Sequence, residues 1–373
     1  MSRMLAQSTR LEQIEEVVVI GAGPAGLGLA DQLAQRGLRA RVLEKGKTAA
    51  DAWRRMPRDM MMNSPVGVST IAGVRVGFLE WSSVWNREQF HRHAVDFERE
   101  RRIGAEFGVS VKRIEHEPDG LFRIETSEGL VRTRTVVNAT GYYSKPYVPT
   151  RPGADEASLL ELTVPEYHTH QAVAERIDGP GRRILIVGSR ITAGQLGLEL
   201  HNAGFRVTIS HREPLAFGFD PKLQRMAFRA YYPYESIRLL SPAFGRQDSG
   251  HPMPGGPVRK LIEAGAIDTR PDLKRFEGRE VHFVDGTVDE FDAVLWATGY
   301  RPALDHLKEL VSLDPTTGLP QLSDMEAAQV PGLFFLGLDQ LTNYTSRMLR
   351  GIQYDSIRLA ERLARRAADR GGT

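Results

Sequence analysis

The sequence contains no cysteine among its 373 residues. This absence excludes disulfide bonds, metal sites built from thiolate ligands and every redox mechanism that uses a pair of thiols. Any oxidation or reduction that this chain carries out must therefore depend on a bound cofactor or on residues other than cysteine.

The sequence also lacks a strong excess of charge of either sign. It has 49 Lys and Arg residues against 47 Asp and Glu residues, a net charge of +2. A balance this close gives no general electrostatic reason to bind nucleic acid, so we expect no nucleic-acid partner. At this length the chain is expected to form two domains.

Long apolar runs are absent as well. No stretch approaches the roughly 18 consecutive apolar residues that a membrane-spanning helix needs, so we expect no stable membrane insertion. Residues 1–16 carry several charged side chains and no apolar segment of the kind found in signal peptides. These features lead us to expect a cytoplasmic protein.

Residues 17–46 carry the most informative pattern in the chain. Four consecutive apolar residues at 17–20 predict a buried strand, a glycine-rich turn follows at 21–26, and apolar residues then recur at helical spacing to residue 36. A second predicted strand ends at Glu44, eighteen residues after Gly26. A glycine motif alone is a weak signal, but this order of strand, turn, helix and acid is specific for a dinucleotide-binding unit.

Each part of this unit has a physical reason. Gly21 permits a tight turn, Gly23 lets a pyrophosphate approach the backbone, and Gly26 lets the helix pack closely on the strand. The helix N-terminus attracts the phosphates, and Glu44 can accept hydrogen bonds from ribose hydroxyls. The unit is thus predicted to bind FAD or NAD through Gly21, Gly23, Pro24, Ala25, Gly26, Glu44 and Lys45.

A second copy of the pattern begins about 165 positions later. A predicted strand at 183–187 leads into Gly188 and Ser189, a helix to residue 202 and another strand at 205–210. Arg212 stands where the first copy has its acid, and an Arg suits the 2′-phosphate of NADP. Arg190 occupies the middle glycine position, where its side chain either crowds the pyrophosphate or donates hydrogen bonds to it.

The remaining predicted elements are mostly short. A helix is predicted over residues 85–107, a strand at 109–111 and a hairpin from 122–126 and 130–134, with a closing helix at 354–370 whose arginines form a solvated face. A strand and hairpin are also predicted from 281–284 and 291–296.

Two predicted strands end in the same four residues, Ala-Thr-Gly-Tyr, at 139–142 and 297–300. A further short strand, at 332–338, ends at Asp339.

Together these motifs resemble the class B flavin-dependent monooxygenases and their flavoprotein relatives. The resemblance covers nearly the whole chain and depends on the order of the motifs: the first fingerprint, Glu44, Trp53, Asn63, the first Ala-Thr-Gly, the second fingerprint with Arg212, and the second Ala-Thr-Gly-Tyr.

The resemblance implies roles for individual residues. The FAD pyrophosphate would lie on residues 21–26, Trp53 would line the flavin site, and the backbone near Val111 would face the adenine. Asn63 would face the reactive side of the flavin, and Asp339 would lie near its ribityl chain. The cofactor-binding residues implied around the two Ala-Thr-Gly turns are Thr140, Gly141, Thr298 and Gly299. Asn63-Ser64-Pro65 is equally compatible with an ordinary Asx turn before a proline.

Two departures from the family pattern limit the resemblance. The glycine pair that usually precedes the tryptophan is replaced by residues 50–52, Ala-Asp-Ala. The linker signature of Baeyer–Villiger enzymes survives only as His168, which argues against ketone-to-ester chemistry and favours a surface or linker role for this histidine.

The function that the resemblance implies is an NADPH- and O2-dependent flavin monooxygenase. It would form a flavin C4a-hydroperoxide and oxygenate a small soft nucleophile, by amine N-hydroxylation or sulfide oxidation. Two alternatives stay open: an FAD-dependent NAD(P)H oxidoreductase or oxidase without oxygen insertion, and a non-catalytic flavin- or nucleotide-binding protein. The pyridine nucleotide–disulfide reductases share the architecture, but their dithiol chemistry is excluded by the missing cysteines.

The predicted fold is α/β with two Rossmann-like dinucleotide-binding domains, the NADPH domain being inserted into the FAD domain. We expect the FAD domain at 1–149 and 297–373 and the NADPH domain at 150–296. Residues 66–85 and 214–256 would determine the substrate specificity, and neither stretch carries an interpretable motif. The oligomeric state stays open, and a homodimer is compatible with the sequence.

Overall fold

A computed structural model describes residues 14–177, 182–218 and 252–371 of the chain. The aromatic-rich part of the predicted substrate region, residues 219–251, lies outside the described residues.

The larger of two central sheets is built from both ends of the described chain. Its spatial order is β19 (Leu322–Ser323), β20 (Glu326–Ala327), β21 (Leu333–Phe335), β8 (Val136–Asn138), β2 (Val18–Ile20), β3 (Arg41–Glu44) and β4 (Glu106–Phe107). The last five strands of this order are parallel, and Val19 lies opposite Val42 and Val137. The central strands are nearly all apolar because both faces of a parallel sheet are covered.

The second sheet repeats this arrangement with five strands. Its order is β10 (Leu160–Thr163), β17 (Ala293–Trp296), β11 (Arg183–Val187), β12 (Arg206–Ser210) and β13 (Asp268–Arg270), all parallel. We call the larger sheet with its flanking elements the first unit, and this sheet with its flanking elements the second unit. The second unit is inserted between the two parts of the first.

Each unit carries a smaller antiparallel sheet. In the first unit it consists of β5 (Val111–His116), β6 (Phe122–Thr126) and β7 (Gly129–Thr133), with β1 (Ile14–Glu15) beside β7; in the second it consists of β14 (Leu273–Glu277), β15 (Glu280–Phe283) and β16 (Val288–Glu290). The two connections between the units pair with each other through β9 (Lys145–Pro146) and β18 (Tyr300–Arg301).

Seven α-helices fall within the described residues. They are α1 (Pro24–Ala34), α2 (Arg87–Glu100), α3 (Val164–Tyr167), α4 (His170–Arg176), α5 (Ile191–Asn202), α6 (Pro257–Glu263) and α7 (Leu349–Gly371). Short 3-10 turns occupy Asp51–Arg55, Val66–Val68, Ala154–Glu156 and Asp305–Leu307. None of the helices in the described ranges is long and apolar enough to span a bilayer.

Helix α7 returns the end of the chain to the first unit. Leu359 and Leu363 of α7 lie in the same buried core as Leu29 and Leu33 of α1. An adjacent face of α7 carries three arginines of the predicted solvated face, and ion pairs to acids of the first unit hold them: Arg358 and Arg362 with Asp324, and Arg362 and Arg366 with Glu326. The helix begins at Leu349, five residues before the predicted start.

The predicted fold class, α/β with two Rossmann-like units, is confirmed. The predicted helix over residues 85–107 was too long, because α2 ends at Glu100. Asn86 and Gln89 form a capping box at its start, and Arg102 and Gly104 then adopt left-handed backbone conformations (φ 52° and 70°) that end it.

Two strand predictions also need correction. The strand expected at 109–111 begins at Val111 and runs to His116, and it was missed because Ile114 is its only buried residue on an edge of the sheet. The segment expected to pair in a hairpin with 281–284 supplies β17 of the central sheet instead, and β16 is the hairpin partner of β15.

Candidate active site

The glycine turns of both units open into one cleft of about 1010 Å³. Ligand pockets in proteins usually measure about 300–1,000 Å³, so this cleft is at the upper end of that range. It is large enough for extended ligands from both turns to meet in it.

Both turns pack on an Ala-Thr-Gly-Tyr segment in the same way. A Cβ atom added at Gly21 (φ 106°) would lie 2.6 Å from the carbonyl oxygen of Ala139. A Cβ atom added at Gly188 (φ 150°) would lie 2.5 Å from the carbonyl oxygen of Ala297. Only glycine allows this close approach, which explains why the two motifs occur together twice in the chain.

The start of α1 has the geometry of a phosphate cradle. Gly23 is its N-cap residue, no side chain caps the helix, and its first turn contains no acid. A Cβ atom added at Gly23 would have no neighbour within 4 Å, whereas one added at Gly26 would lie 1.9 Å from the Gly21 carbonyl oxygen. The unpaired N–H groups of this turn therefore fit a dinucleotide pyrophosphate, and Gly26 lies behind the cleft wall in the packing role expected for it.

Backbone hydrogen bonds hold the carboxylate of Glu44 in the cleft wall. Its Oε2 accepts a hydrogen bond from the N–H of Ala22 and its Oε1 accepts one from the N–H of Gly46, each at 2.7 Å. Each carboxylate oxygen can accept a further hydrogen bond. Glu44 is thus oriented to accept hydrogen bonds from ribose hydroxyls, and Lys45 and Val111 line the cleft beside it.

The start of α5 forms the corresponding part of the second unit. Arg190 is its N-cap residue and lines the cleft, and its backbone forms a β-bridge with Pro252. The side chain of Met253 packs so tightly here that a Cβ atom added at Gly194 would lie 2.5 Å from its Cγ. Both predicted roles of Arg190 are compatible with this position. Arg212 follows β12, is exposed and lines the cleft.

Asn63 lies on the irregular chain between β3 and α2 and lines the cleft. Its Oδ1 accepts a hydrogen bond from Nε2 of Gln195, at 2.9 Å, and the same nitrogen donates to the carbonyl oxygen of Met61, at 3.0 Å. Gln195 belongs to α5 of the second unit. Sequence reasoning missed this residue, because a single glutamine inside a helical pattern carries no signal.

Aromatic packing positions Trp53 in the cleft wall. The centroid of its ring lies 4.2 Å from that of Phe90 on α2. Nearby, the backbone N–H of Ala50 donates to the carbonyl oxygen of Ala22 at 2.8 Å, which ties this stretch to the first glycine turn.

Asp339 lies in the cleft wall and forms an ion pair with Arg347, the two charged groups being 3.5 Å apart. The guanidinium of Arg347 lies 5.2 Å from the ring centroid of Tyr142. This acid is therefore part of a charged and aromatic cluster next to the first Ala-Thr-Gly turn.

A partly buried histidine was not predicted. His306 lines the cleft, and its Nε2 donates a hydrogen bond to Oδ1 of Asn138 at 2.8 Å. The Nδ2 of Asn138 donates in turn to Thr140 Oγ1 at 3.2 Å. Burial lowers the pKa of His306 to about 4, so its ring is neutral near pH 7.

The predicted site residues come together in space. Those that line the cleft are Gly21, Gly23, Pro24, Ala25, Glu44, Lys45, Trp53, Asn63, Val111, Thr140, Gly141, Gly188, Ser189, Arg190, Arg212, Thr298, Gly299 and Asp339. Gly26 packs behind the cleft, and His168 is exposed outside it.

A family model described as pyridine nucleotide-disulphide oxidoreductase matches residues 18–225, more than half of the chain. The chain belongs to this family. It is therefore an oxidoreductase, and the expected cofactors, FAD and NADPH, agree with the family. Because it has no cysteine, this member of the pyridine nucleotide-disulphide oxidoreductase family cannot use a redox dithiol of its own.

Known proteins match over nearly the full length. A protein of Geobacillus kaustophilus described as an uncharacterized CzcO-like oxidoreductase is 24% identical, over 93% of this chain and 97% of its own. The indole-3-pyruvate monooxygenase YUCCA1 of Oryza sativa subsp. japonica is 25% identical, over 95% and 93%.

Among solved structures, the flavin-containing monooxygenase from Stenotrophomonas maltophilia superposes with a TM-score of 0.78. It is 23% identical and covers 94% of this chain and 98% of its own. These matches confirm the resemblance to flavin-dependent monooxygenases and the two-dinucleotide fold.

Proposed function

We propose that this protein is an NADPH- and O2-dependent flavin monooxygenase that oxygenates a small soft nucleophile, an amine or a sulfide. The observation that carries the proposal is that one cleft joins both dinucleotide turns and Asn63. A hydride donor and a flavin bound at the two turns would share one cleft, as hydride transfer between them requires.

In this proposal the first unit holds FAD. The pyrophosphate lies at the start of α1, where Gly23 offers open space and unpaired N–H groups, and Glu44 accepts hydrogen bonds from the ribose. Trp53, Val111, Asp339 and the turn at residues 139–141 form the rest of the FAD-binding wall.

The second unit holds NADPH. Gly188, Ser189 and Arg190 lie at its pyrophosphate, and Arg212 pairs with the 2′-phosphate, since a guanidinium matches phosphate geometry. We propose domain boundaries to match: FAD at residues 1–149 and 297–373, and NADPH at 150–296.

When bound, FAD would supply the redox chemistry, namely hydride acceptance from NADPH and transfer of one oxygen atom from O2 to the substrate. The balance is that NADPH, a proton, O2 and the substrate give NADP+, water and the oxygenated substrate. The protein's own residues bind, orient and keep water out. Asn63 would donate its side-chain N–H to the reacting oxygen, and Met60, Met61 and Met62 supply apolar wall around it.

The name of one relative adds a class of compound to the substrates that should be tested. The match to a protein named as an indole-3-pyruvate monooxygenase adds an aromatic 2-oxo acid to the amines and sulfides as a class to be screened. The incomplete Baeyer–Villiger linker signature, of which only His168 remains, still argues against conversion of simple ketones to esters.

The test begins with the purified protein loaded with FAD. Under anaerobic conditions NADPH should bleach the flavin absorbance, and in ¹⁸O2 a panel of amines, sulfides and 2-oxo acids should yield a product carrying one ¹⁸O atom. If NADPH is consumed but all of it appears as H2O2, the protein is an oxidase. If NADPH never reduces bound FAD, the second site does not deliver hydride, and this result favours a non-catalytic flavin- or nucleotide-binding protein.

A further inference from the structure

Gln195 connects the two units across the cleft. It lies on α5, one turn after the second glycine motif, and its Nε2 donates to two groups of the first unit: Met61 O at 3.0 Å and Asn63 Oδ1 at 2.9 Å. These partners are separated from it by 134 and 132 positions in the sequence.

We propose that Gln195 is a positioning residue that determines which end of the Asn63 amide faces the reacting groups. This inference rests on the proposed function. An asparagine side chain has an accepting end, Oδ1, and a donating end, Nδ2. Since Gln195 engages Oδ1, Nδ2 is the end left to donate to a ligand in the cleft.

The orientation follows from a chain of donors and acceptors that begins at Met61. The carbonyl oxygen of Met61 can only accept, so Gln195 must turn its NH2 end toward it. The same NH2 then requires an acceptor from Asn63, namely Oδ1. Reversing the Gln195 amide would place acceptor against acceptor, and reversing the Asn63 amide would place donor against donor, so the backbone of Met61 decides both orientations.

The other end of the Gln195 amide is consistent with this direction. Its Oε1 is buried and has no hydrogen-bond partner within the described part of the chain. An unpaired buried acceptor is unfavourable, but turning the amide over would put a donor in the same place and would lose both bonds to Met61 and Asn63. The observed orientation is therefore the more favourable one.

Helix α5 also gives this contact a link to the second dinucleotide site. The helix begins at Ile191, which lines the cleft directly after the second glycine motif, and Gln195 follows one turn later. A nucleotide bound at this motif and Asn63 would thus contact the same rigid helix.

Two substitutions of Gln195 separate the hydrogen bonds from the shape of the side chain. Gln195→Met keeps the length but removes both donors. Gln195→Glu keeps the shape but, when ionised, offers only acceptors to Met61 O and Asn63 Oδ1. A matched control is Gln353→Met. Gln353 lies on α7 outside the cleft lining, and its Nε2 donates to the carbonyl oxygen of Thr70 at 2.7 Å. Thr70, like Asn63, belongs to the irregular chain between β3 and α2.

The first readout does not depend on activity. In protein labelled with ¹⁵N-asparagine, the side-chain amide signals of Asn63 are assigned with Asn63→Asp and followed in each variant with FAD bound. We expect Gln195→Met to shift or broaden them and Gln353→Met to leave them unchanged. Unchanged signals in Gln195→Met would overturn the inference.

The second readout is the fraction of NADPH converted to product rather than H2O2. One lost hydrogen bond corresponds to a factor of about three to ten, so we expect Gln195→Met to lower this fraction about that much while the rate of flavin reduction changes less than about twofold. Gln195→Glu should be more severe. A milder effect of Gln195→Glu, or an equal loss in Gln353→Met, would contradict the positioning role.

The two readouts also keep this inference apart from the proposed function. If the wild-type protein reduces FAD but yields no oxygenated product from any substrate, the proposed function fails. The asparagine signals still decide in that case whether Gln195 orients Asn63.

Discussion

The carboxylate of Glu44, at the end of one strand, accepts a hydrogen bond at 2.7 Å from the backbone N–H of Ala22, in the glycine turn of the neighbouring strand. Oε1 of the same carboxylate accepts a second backbone hydrogen bond from Gly46. The acid and the glycine turn that together would hold FAD are therefore hydrogen-bonded directly to each other.

Replacing this acid should weaken FAD binding. Hydrogen bonds to charged groups are worth about 1.5–3 kcal/mol each, so Glu44→Gln, which loses the charge and turns a donor toward one of the two N–H groups, should raise the Kd for FAD about 10- to 100-fold. Titration of the apoprotein with FAD, followed by flavin fluorescence, measures this. Glu106→Gln is the control, because Glu106 lies in the same sheet and pairs with Arg41 away from the cleft. An equal loss in both variants would show that only sheet stability had changed.

Substitutions in the two glycine turns should affect different cofactor functions. Gly21→Ala places a methyl group 2.6 Å from the Ala139 carbonyl oxygen and should abolish FAD binding, whereas Gly188→Ala should retain FAD but lose its reduction by NADPH. Spectra of the purified variants and anaerobic NADPH titration distinguish the two outcomes.

Gly120→Ala is the matched control for this pair, since Gly120 also has a positive φ (80°) but an added Cβ there would have no neighbour within 4 Å. It should cost only the backbone strain, about 1–3 kcal/mol, with both cofactor functions retained. Retention of NADPH-dependent reduction by Gly188→Ala would contradict the assignment of the second turn.

Arg212 should set the preference for NADPH over NADH. Arg212→Gln removes the cation proposed to pair with the 2′-phosphate, and an interaction of about 1.5–3 kcal/mol corresponds to a KM for NADPH about 10- to 100-fold higher, with the KM for NADH little changed. Steady-state kinetics with both nucleotides measures the ratio. Arg206→Gln, an exposed arginine at the opposite end of the same strand, should leave both values unchanged. A parallel rise for both nucleotides in Arg212→Gln would exclude recognition of the 2′-phosphate.

His306 should make the protein less stable in mild acid. Burial, the largest cause, and the nearby charge of Lys45 lower its pKa from 6.5 to about 4, against a smaller opposite effect of Asp305. Between these two pKa values the unfolded chain binds a proton that the folded protein does not, so stability is present above about pH 6.5 and is lost as the pH falls toward 4.

The corresponding measurement is urea unfolding of the cofactor-free protein at pH 7 and pH 5. The His306 contribution to the difference should be about 2 kcal/mol, and His306→Gln, which can still donate to Asn138, should lose that part of it. His168→Gln replaces an exposed histidine and should behave like the wild type. If all three proteins lose stability equally, other groups are responsible for the pH dependence.

Most of the fold was predictable because its strongest signals are local. The two glycine turns, the helices that follow them and the acid or arginine at the next strand end all occur within about thirty residues, where backbone sterics and helix dipoles act on neighbours in sequence. Two element bounds were predicted wrongly. The end of α2 depends on left-handed residues, and β5 is an edge strand with one buried side chain.

The sequence by itself predicted the two dinucleotide-binding units, their order, the absence of thiol chemistry and eighteen of the residues that line the cleft. Only the tertiary structure decided how those residues are held: Gln195 against Asn63, His306 against Asn138, and α7 against α1. These contacts join segments more than one hundred positions apart, and a contact between such distant segments leaves no periodic pattern in a sequence. Their partners are selected by burial and by the need to pair donors with acceptors, which arise only when the chain has folded.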